Sequence, residues 1–361
     1  MLKRVRIGIV GCGNVLQHQY MRAIGDLRRR GLAEATMACD IRESARQVMA
    51  DEFGIINFVT EFDAVATSRD VDLVLVTTSM QEHSAVVKAG LRAGKHVLVE
   101  KPMALTLDDA AELVELARVG PGFLACAPFV ILSRTHQSIL RHLRAGDIGE
   151  VHLARGFYGH SGPTWGPGFY LPGGGPLLDL GVYNLTSLTS WLGPVKRVMA
   201  MAGIAIPERV VDGAPMRVET EDCYQLLLDF GDACYASLGT GFTIRRRRAP
   251  CLELYGSKGV VQMLGNDWGP DGFELWTEQS GAWQVYEKLD QDWHWTEGLR
   301  YLVKCIQQGS RPVVTPEHAY HVLEIMIRAA EAIRQGRTLE VRSTFPPPEL
   351  LPPDDTGPVR L

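Results

Sequence analysis

The sequence predicts a two-domain protein with an α/β first half and an α+β second half. In the first half, apolar strands alternate with helical stretches, which is typical of a parallel sheet wound on both faces. In the second half, short strands are separated by glycine, proline and aspartate turns, which favours an antiparallel sheet. The chain has 361 residues, too many for one ordinary core. We expect domains over residues 1–125 and 126–340 and an extended, proline-rich tail over 341–361.

The composition is that of a soluble globular protein, with 46% apolar and 22% charged residues. The net charge of −5 gives no support for nucleic-acid binding, and no apolar run approaches the ~20 residues of a membrane span. The seven cysteines are scattered, which favours reduced thiols over a disulfide frame or a zinc site. A strand already begins near the amino terminus, so no secretory signal is expected and the predicted location is the cytoplasm.

The first strand, predicted over Val5–Val10, runs into a glycine turn and then a helical stretch. Gly11 permits the tight turn, and Gly13 lets the backbone approach a pyrophosphate at the amino terminus of the helix. The third glycine position of this dinucleotide motif is occupied by Leu16, which implies a different packing of helix on strand. The residues predicted to hold the dinucleotide at this turn are Gly11, Cys12, Gly13, Asn14 and Val15.

The second strand, predicted over Ala35–Cys39, ends on Asp40. An acid at this distance from the glycine turn can hold the ribose hydroxyls of a dinucleotide. The same acid repels a 2′-phosphate, so the predicted cofactor is NAD. Arg42 leaves NADP open, because its side chain could receive that phosphate. Asp40 would also suit a helix cap, and the two roles can coexist.

A further apolar strand, predicted over His96–Val99, stops abruptly on Glu100, Lys101 and Pro102. Such a strand places the charged residues at the carboxyl edge of a sheet, where ligands bind in open α/β folds. A surface lysine after a core strand is the alternative. His83, which follows the preceding strand, would equally suit a structural role at a helix start. The cofactor contacts predicted from these strand ends are Thr77, Thr78, Ser79, His83, Glu100 and Lys101.

Three segments together resemble the Gfo/Idh/MocA family: Gly11–Asn14, the loop Thr78–His83, and Ala93–Pro102. The resemblance covers nearly the whole chain, and the third segment is its most specific part. Ser79 departs from the pattern, since the family usually has proline there. Members of this family are NAD(P)-dependent oxidoreductases, mostly of sugars and cyclitols. The resemblance therefore implies a Rossmann-type first domain. It also implies a second domain whose large open sheet carries the substrate pocket and often the oligomer interface.

In the second half, the glycine loop at Pro172 leads into an apolar helix that runs to Leu192. Asp179 and Tyr183 stand four residues apart, which places them on one face of a helix. A carboxylate and a phenol on one face could bind and polarise a hydroxyl group; a first-turn acid and a core tyrosine are the alternative. The matching helix of the resembled family carries an aspartate and, most often, a histidine four residues on. Tyr183 at that position leaves the proton-transfer role open between Lys101 and Tyr183.

Aromatic residues approach this helix and could stack on a sugar ring, although core packing explains them equally well. The candidates for substrate contact are Trp165, Phe169, Tyr170 and Asn184, with His160 and Arg155 as weaker ones. The arginines at 245–248 favour a solvated loop, with a site for a carboxylated or phosphorylated substrate as the alternative. Glu317, His318 and His321 lack a known zinc spacing, so no metal site is predicted.

The resemblance implies an NAD-dependent dehydrogenase acting on the CH–OH group of a sugar, sugar derivative or polyol. In this interpretation Lys101 is the acid/base, Tyr183 shares the proton path, and Asp179 orients the substrate or Lys101. Two alternatives stay open: a sensor that binds NAD and sugar without turnover, and an enzyme with permanently bound NAD(P) that exchanges aldoses or cleaves glycosides. An antiparallel sheet with one uncovered face has to bury it, so a homodimer or homotetramer is expected. No nucleic-acid or membrane partner is predicted.

Overall fold

A computed structural model describes residues 3–352 of the chain. These residues form two compact units. The first comprises the chain up to Phe129 together with Thr296–Tyr320, and the second comprises Val130–Trp295 and the residues from His321 onward.

The first unit contains a sheet of six parallel strands with connecting helices. The strands are β1 (Val5–Val10), β2 (Ala33–Cys39), β3 (Phe58–Val59), β4 (Leu73–Val76), β5 (His96–Val99) and β6 (Leu124–Cys126). The helices between them are α1 (Met21–Arg29), α2 (Ala45–Phe53), α3 (Phe62–Thr67), α4 (His83–Arg92) and α5 (Leu107–Val119). The strand order is β3-β2-β1-β4-β5-β6, and all pairs are parallel. This is the order of a doubly wound dinucleotide-binding sheet.

The central strands β4 and β5 are largely apolar because helices lie on both faces of this sheet. Every residue of β4 is buried, as are the last three residues of β5. Parallel strands buried on both faces carry continuous apolar runs, which made these strands visible in the sequence. The two-residue strand β3 and the short helix α3 were not predicted, because neither is long enough to show a period.

The second unit is built on a larger sheet. Its elements are α6 (Arg134–Ala145), β7 (Val151–Gly159), α7 (Val182–Leu192), β8 (Arg197–Gly203), β9 (Glu208–Val211), β10 (Ala214–Arg217), β11 (Cys223–Gly231), β12 (Cys234–Gly241), β13 (Leu252–Gly256), β14 (Gly259–Gly265), β15 (Pro270–Thr277) and β16 (Trp283–Glu287). Two further helices and a strand follow: α8 (Glu297–Gln308), which lies in the first unit, α9 (Pro316–Gln335) and β17 (Leu339–Glu340).

Nine strands pair in the order β16-β15-β14-β13-β7-β12-β11-β8-β17, and β9 and β10 form a separate hairpin. All pairs in the large sheet are antiparallel except β7 with β12, which run parallel. The fold class predicted from the sequence, a doubly wound parallel sheet followed by a large antiparallel sheet, is therefore confirmed. The single parallel pair was not predicted.

Helix α7 is buried along almost its whole length and packs on the sheet of the second unit. Two of its hydroxyls are satisfied within the helix: those of Thr186 and Thr189 donate to backbone carbonyls four residues earlier, at 2.8 and 2.6 Å. Gly156 on β7 permits the close approach of the helix, since a Cβ there would lie 3.2 Å from the side chain of Asn184. The sheet thus holds α7, and the residues at its start, in a fixed position.

Helix α8 belongs to the first unit, although the sequence prediction placed it in the second domain. The guanidinium of Arg300 on α8 forms an ion pair with Asp26 on α1. The Gln307 side chain donates to the carbonyl of Leu32 at 3.2 Å. These contacts join sequence-distant segments, which the order of elements along the chain could not indicate.

The proline-rich segment is extended up to residue 352, and it is packed against the second unit. Leu351 is buried, its N–H donates to Gln137 at 2.9 Å, and its carbonyl accepts from Arg141 at 2.7 Å. The rest of the predicted tail lies outside the described residues. Within the described part of the chain, no helix combines the length and the apolarity needed to cross a bilayer.

Candidate active site

All strands of the first sheet point the same way, so their carboxyl ends share one edge. Gly11, Asp40, Thr77 and Glu100 follow directly after β1, β2, β4 and β5. The structure therefore brings together four of the positions that the sequence predicted to bind a cofactor. In open α/β sheets this edge is where ligands bind.

Neighbouring strand ends hold the glycine turn. Gly11 has a φ of +96°, and a Cβ there would lie 2.6 Å from the backbone of Thr77. The Gly11 N–H donates to the carbonyl of Cys39 at 2.8 Å. The Thr77 hydroxyl donates to the carbonyl of Gly11 at 2.7 Å. Only glycine fits both this conformation and this close approach.

Gly13 has the opposite environment, because a Cβ there would meet no atom within 4 Å. The chain then enters a π-helical turn, Leu16–Tyr20, that leads into α1. On the loop against which Gly11 packs, the Thr78 hydroxyl is buried and has no hydrogen-bond partner within residues 3–352. An open backbone turn at a helix start, with an unpartnered hydroxyl on the adjoining loop, fits the pyrophosphate of a dinucleotide.

Leu16 occupies the position of the motif's third glycine, and it is fully buried. The π-helical turn begins at this residue, and its closing hydrogen bond runs from the N–H of Met21 to the carbonyl of Leu16. The wider turn accompanies a side chain at a position where the usual motif has none. Leucine in place of the third glycine is thus accompanied by a π-helical turn at the start of the helix, and the turn at Gly11 is unaffected.

Asp40 is buried, and both of its carboxylate oxygens accept hydrogen bonds. Its Oδ2 accepts from the Cys12 N–H at 2.9 Å, and its Oδ1 accepts from the backbone N–H and the Nε of Arg42, each at 2.9 Å. Burial alone would raise the pKa of this carboxyl, but the hydrogen bonds from Arg42 and Cys12 hold it below its ordinary value. Asp40 therefore carries a negative charge at neutral pH and holds Arg42 beside it.

Glu100 is also buried, and it anchors the end of β5. Its Oε1 accepts from the Tyr20 hydroxyl at 2.6 Å, and its Oε2 accepts from the N–H of Lys101 at 3.2 Å. Tyr20 lies on the π-helical turn after the glycines, and it was not identified from the sequence. The Glu100 side chain is therefore directed toward that turn.

His83 links the loop after β4 to the segment after β5. Its Nδ1 lies 2.7 Å from the Pro102 carbonyl and its Nε2 lies 3.3 Å from the Thr78 carbonyl. Burial lowers the pKa of this histidine, and the nearby Lys101 ammonium lowers it further. A neutral imidazole has one N–H, and the shorter contact assigns that proton to Nδ1. These contacts favour the structural role for His83.

Lys101 is half-buried at this corner, and a cis peptide bond joins it to Pro102. Its backbone N–H is fixed by Glu100, and its ammonium lies close enough to His83 to change the pKa of that ring. The sequence prediction that Lys101 stands at the carboxyl edge of the sheet, directly after β5, agrees with this placement.

In the second unit, Asp179 lies in a second π-helical turn, Leu177–Gly181, directly before α7. Tyr183 follows in the first turn of α7 and is buried. On a regular α-helix these two residues would share one face, as the sequence predicts. A π-helical turn has a longer repeat, so the side chain of Asp179 is rotated relative to that expectation. Single π-turns are frequent at functional sites.

Asn184, a predicted substrate contact, lies fully inside the second unit. Its Nδ2 donates to Oδ2 of Asp267 at 2.9 Å. Burial raises the pKa of Asp267 to about 8, and the Asp179 carboxylate adds to this increase. Asp267 was not identified from the sequence, because no motif marks it. These contacts favour a packing role for Asn184 and place a buried acid near Asp179.

Of the aromatic candidates, Trp165 is exposed and Tyr170 is fully buried. The Trp165 ring meets Phe169 edge-on at a centroid distance of 5.0 Å, and Tyr170 meets Phe242 at 5.6 Å. The Tyr170 hydroxyl donates to the Pro163 carbonyl at 2.7 Å. Trp165 is thus accessible to a ligand, whereas the contacts of Tyr170 favour core packing.

The remaining candidates have structural contacts. Arg155 pairs with Glu253 at 2.9 Å, and Arg247 bonds the carbonyls of Ala249 and Gly265, each at 2.8 Å. Nε2 of His321 accepts from the N–H of Val195 at 3.0 Å. Arg245, Arg246 and Arg248 are exposed. Across residues 3–352, no three histidine, cysteine or acidic side chains are grouped so as to hold a metal ion.

Comparison with known proteins agrees with this geometry. The family model described as "oxidoreductase family, NAD-binding Rossmann fold" matches residues 5–121, and that of the "GFO/IDH/MocA C-terminal domain" matches residues 136–262. The first unit is thus an NAD-binding Rossmann fold of an oxidoreductase. Because the two matches together span more than half of the sequence, the chain belongs to the Gfo/Idh/MocA family. The family and the cofactor predicted from the sequence are confirmed.

Three similar proteins illustrate the range of the family. The chain is 32% identical to 1,5-anhydro-D-fructose reductase of Ensifer adhaerens, over 51% of this chain and 55% of the reductase, about half of each protein. It is 23% identical to D-glucoside 3-dehydrogenase of Escherichia coli (strain K12), over 93% of this chain and 97% of that protein. The structure of levoglucosan dehydrogenase in complex with NADH matches with a TM-score of 0.82 at 16% identity, covering 94% of this chain and all of the other. At this identity the structural match shows the fold alone.

Gly11→Ala and Gly13→Ala form a matched test of the glycine turn. Gly11→Ala should lower the free energy of unfolding by roughly 1–3 kcal/mol, because it forces an unfavourable φ and a clash with Thr77. Gly13→Ala should leave that free energy nearly unchanged while weakening NADH binding. Urea unfolding and fluorescence titration with NADH measure the two effects. Equal stability of the two variants would contradict the role assigned to Gly11.

Asp40→Asn tests the charge on the second strand end. Because the pKa of Asp40 is lowered in the folded state, its ionisation stabilises the fold above the unfolded pKa of ~3.9, and this contribution is lost as the pH falls through the lower, folded value. The variant should be less stable than the wild type at pH 7, and the difference should shrink at pH 3. Urea unfolding at both values measures this, with the exposed Asp51→Asn as control. A difference independent of pH would refute the assignment.

Proposed function

We propose that this protein is an NAD-dependent oxidoreductase that interconverts a hydroxyl and a keto group on a sugar, a sugar derivative or a polyol. The single observation that carries the proposal is the position of Lys101, which follows β5 directly at the carboxyl edge of the NAD-binding sheet. A side chain that can transfer a proton at this edge indicates a catalytic site and not nucleotide binding alone. The sugar-directed names of the similar reductase and dehydrogenases support the substrate class.

Bound NAD supplies the hydride acceptor for oxidation and, when reduced, the donor for the reverse reaction. The turn at Gly11 and Gly13 binds the pyrophosphate, and Asp40 binds the ribose hydroxyls. The negative charge of Asp40 and its ion pair with Arg42 support NAD over NADP, because an arginine already paired is less available to a 2′-phosphate.

Lys101 takes the proton from the substrate hydroxyl in oxidation and returns it in reduction. Its backbone is fixed by the buried Glu100, so the flexible part is the side chain alone. Tyr183 shares the proton path, and Asp179 orients the substrate hydroxyl. Retention of a lysine, an acid and a phenol in these positions favours catalysis over a sensor that binds NAD without turnover, since a sensor needs no proton path.

We also propose that the open face of the second sheet pairs with a second copy of the chain. Exposed apolar residues lie on neighbouring strands of this face, namely Leu153, Met199, Met201, Leu227, Tyr235 and Tyr255. Two ion pairs lie on the same face, Arg155 with Glu253 and Arg197 with Asp229. An exposed apolar surface of this kind suits association with an identical face. A cytoplasmic location remains a prediction from the scattered cysteines.

Lys101→Ala should reduce kcat by at least ~10²-fold, the usual worth of a positioned acid–base group, and should leave NAD affinity nearly unchanged. The matched control is Lys95→Ala at the opposite end of β5, where the ammonium donates to the Ser68 and Val71 carbonyls; it should retain turnover. NADH absorbance on a panel of sugars and cyclitols is the measurement. Wild-type turnover by Lys101→Ala would overturn the role of this residue.

The same panel of sugars and cyclitols distinguishes the proposed dehydrogenase from the two alternative functions. Tight NAD binding with no absorbance change on any sugar by the wild type would favour the sensor. Cofactor that remains bound through gel filtration, with exchange between two aldoses, would favour the enzyme with permanently bound NAD(P).

Leu227→Glu should shift the protein from a dimer or larger assembly toward the monomer, because it places a charge within the apolar face. Ile56→Glu is the control, since Ile56 is a highly exposed apolar residue of the first unit and the change should not alter the assembly. Sedimentation velocity gives the distribution for each variant. A wild type that sediments as a monomer would refute the proposed pairing.

A further inference from the structure

Residues 242–251 form the loop that joins β12 to β13, here named the arginine loop because residues 245–248 are all arginine. One of these arginines holds the loop in place. The guanidinium of Arg247 donates to the carbonyls of Ala249 and Gly265, each at 2.8 Å, and to Oδ1 of Asn266 at 2.7 Å. Gly265 and Asn266 lie at the turn between β14 and β15, so this turn and the arginine loop are tied together.

The turn between β14 and β15 is itself fixed. Nε1 of Trp268 donates to the Tyr158 hydroxyl at 2.7 Å, and the Arg247 guanidinium lies 5.3 Å from the centre of the Tyr158 ring. Burial raises the pKa of Asp267, in the same turn, to about 8, so most of this carboxyl is protonated at pH 7. Arg247 therefore bonds neutral acceptors, and the acid beside it carries little negative charge.

The other three arginines of the loop are exposed. Within residues 3–352, the side chains of Arg245, Arg246 and Arg248 form no hydrogen bond or ion pair. Arg209, by contrast, is paired with Asp222 at 3.1 Å in the same unit. Three positive charges therefore lie on one anchored loop of a chain whose net charge is −5. Like charges so close repel one another, and a bound anion relieves that repulsion.

The sheet topology places the arginine loop at a definite edge of the second unit. Strand β12 runs parallel to β7. Strand β14 runs in the same direction, because it is antiparallel to β13, which is itself antiparallel to β7. The segments that follow β7, β12 and β14 therefore leave the sheet at one common edge.

Helix α7 begins at this same edge. A Cβ on Gly181, the last residue of the π-helical turn before α7, would lie 3.2 Å from the side chain of Thr240 near the end of β12. In the first turn of α7, Nδ2 of Asn184 donates to Oδ2 of Asp267 at 2.9 Å. Hydrogen bonds thus join the start of α7 to the turn between β14 and β15, and that turn to the arginine loop.

We propose that Arg245, Arg246 and Arg248 form an anion site for a phosphoryl group carried by the sugar substrate, beside the start of α7. The inference rests on the proposed function. It narrows the substrate class to phosphorylated sugars, which are either sugar phosphates or nucleoside diphosphate sugars.

A phosphoryl group suits these residues for two reasons. A phosphate monoester carries about −1.5 to −2 charges at neutral pH and has three strong acceptor oxygens. The planar guanidinium of arginine donates two parallel hydrogen bonds to such a group. Uncompensated arginines near a site also attract an anionic substrate before it binds. A neutral sugar gains nothing from either effect.

Calorimetric titration of the NADH-saturated protein with inorganic pyrophosphate tests the site itself, because NADH already fills the nucleotide site. The wild type should bind pyrophosphate, and raising NaCl from about 0.05 M to about 0.5 M should weaken this binding, since salt screens exposed charges. The triple variant Arg245→Gln/Arg246→Gln/Arg248→Gln should bind it ~10-fold or more weakly, because hydrogen bonds between charged groups are the stronger ones.

The matched control is the triple variant Arg69→Gln/Arg311→Gln/Arg334→Gln, which alters three exposed arginines outside the arginine loop. It changes the net charge by the same amount and should keep wild-type affinity for pyrophosphate. An equal loss of affinity in both triple variants would show a diffuse effect of net charge and would overturn the site.

Titration with D-glucose, D-glucose 6-phosphate and UDP-glucose tests the substrate class on the wild type, so a folding defect in a variant cannot hide the answer. At least one phosphorylated ligand should bind ~10-fold or more tightly than D-glucose, and which one does so distinguishes a sugar phosphate from a nucleoside diphosphate sugar. The proposal is overturned if neither binds more tightly than D-glucose, or if the wild type does not bind pyrophosphate.

The proposed function is tested separately by NADH formation. Phosphate-dependent binding without turnover of any sugar would refute the oxidoreductase. Turnover of sugars without a preference for phosphorylated ones would refute only the anion site.

Discussion

The buried carboxylate of Glu100 connects the lysine corner to the helix that follows the glycine turn. One oxygen accepts from the Tyr20 hydroxyl and the other from the backbone N–H of Lys101. A buried carboxylate without such donors would be costly, so the end of β5 and the π-helical turn hold each other in place. Loss of this contact would remove a direct link between the helix that follows the glycine turn and the residue proposed to move the proton.

Asp40 and Glu100, both at the edge of the first sheet, have different roles because their hydrogen-bond partners differ. Asp40 accepts from Cys12 and pairs with Arg42, so it stays charged and also shapes the turn. Glu100 accepts from a phenol and a peptide N–H, so it acts as an anchor. In the second unit, burial lowers the pKa of His160 and raises that of Asp267, and the Asp179 carboxylate opposes the first shift and adds to the second.

Sequence features that extend over several residues made much of the fold predictable. The glycine turn and the apolar strands beside it identified the first sheet, because parallel strands buried on both faces carry long apolar runs. The position of α8 in the first unit was not predictable, because its contacts, such as the ion pair of Arg300 with Asp26, join residues far apart in the sequence.

The candidate site could be predicted from the sequence only in part, because several of its contacts also join residues far apart in the chain. Gly11, Asp40 and Lys101 stand at strand ends, where spacing alone indicates a function. Tyr20 and Asp267 have no motif, since each gains its role from a partner brought near by folding, Glu100 and Asn184 respectively. The π-helical turns at Leu16 and Asp179 were also missed, because residue spacing does not reveal where a helix takes the wider repeat.

The central claim, that Lys101 moves the proton of the substrate, is tested most directly by a crystal structure of the protein with NADH and a bound sugar. The Nζ of Lys101 should lie within about 3.2 Å of the oxygen on the sugar carbon that is oxidised or reduced, which is hydrogen-bonding reach for an acid–base group. An Nζ directed away from the sugar, with another side chain in that position, would contradict it.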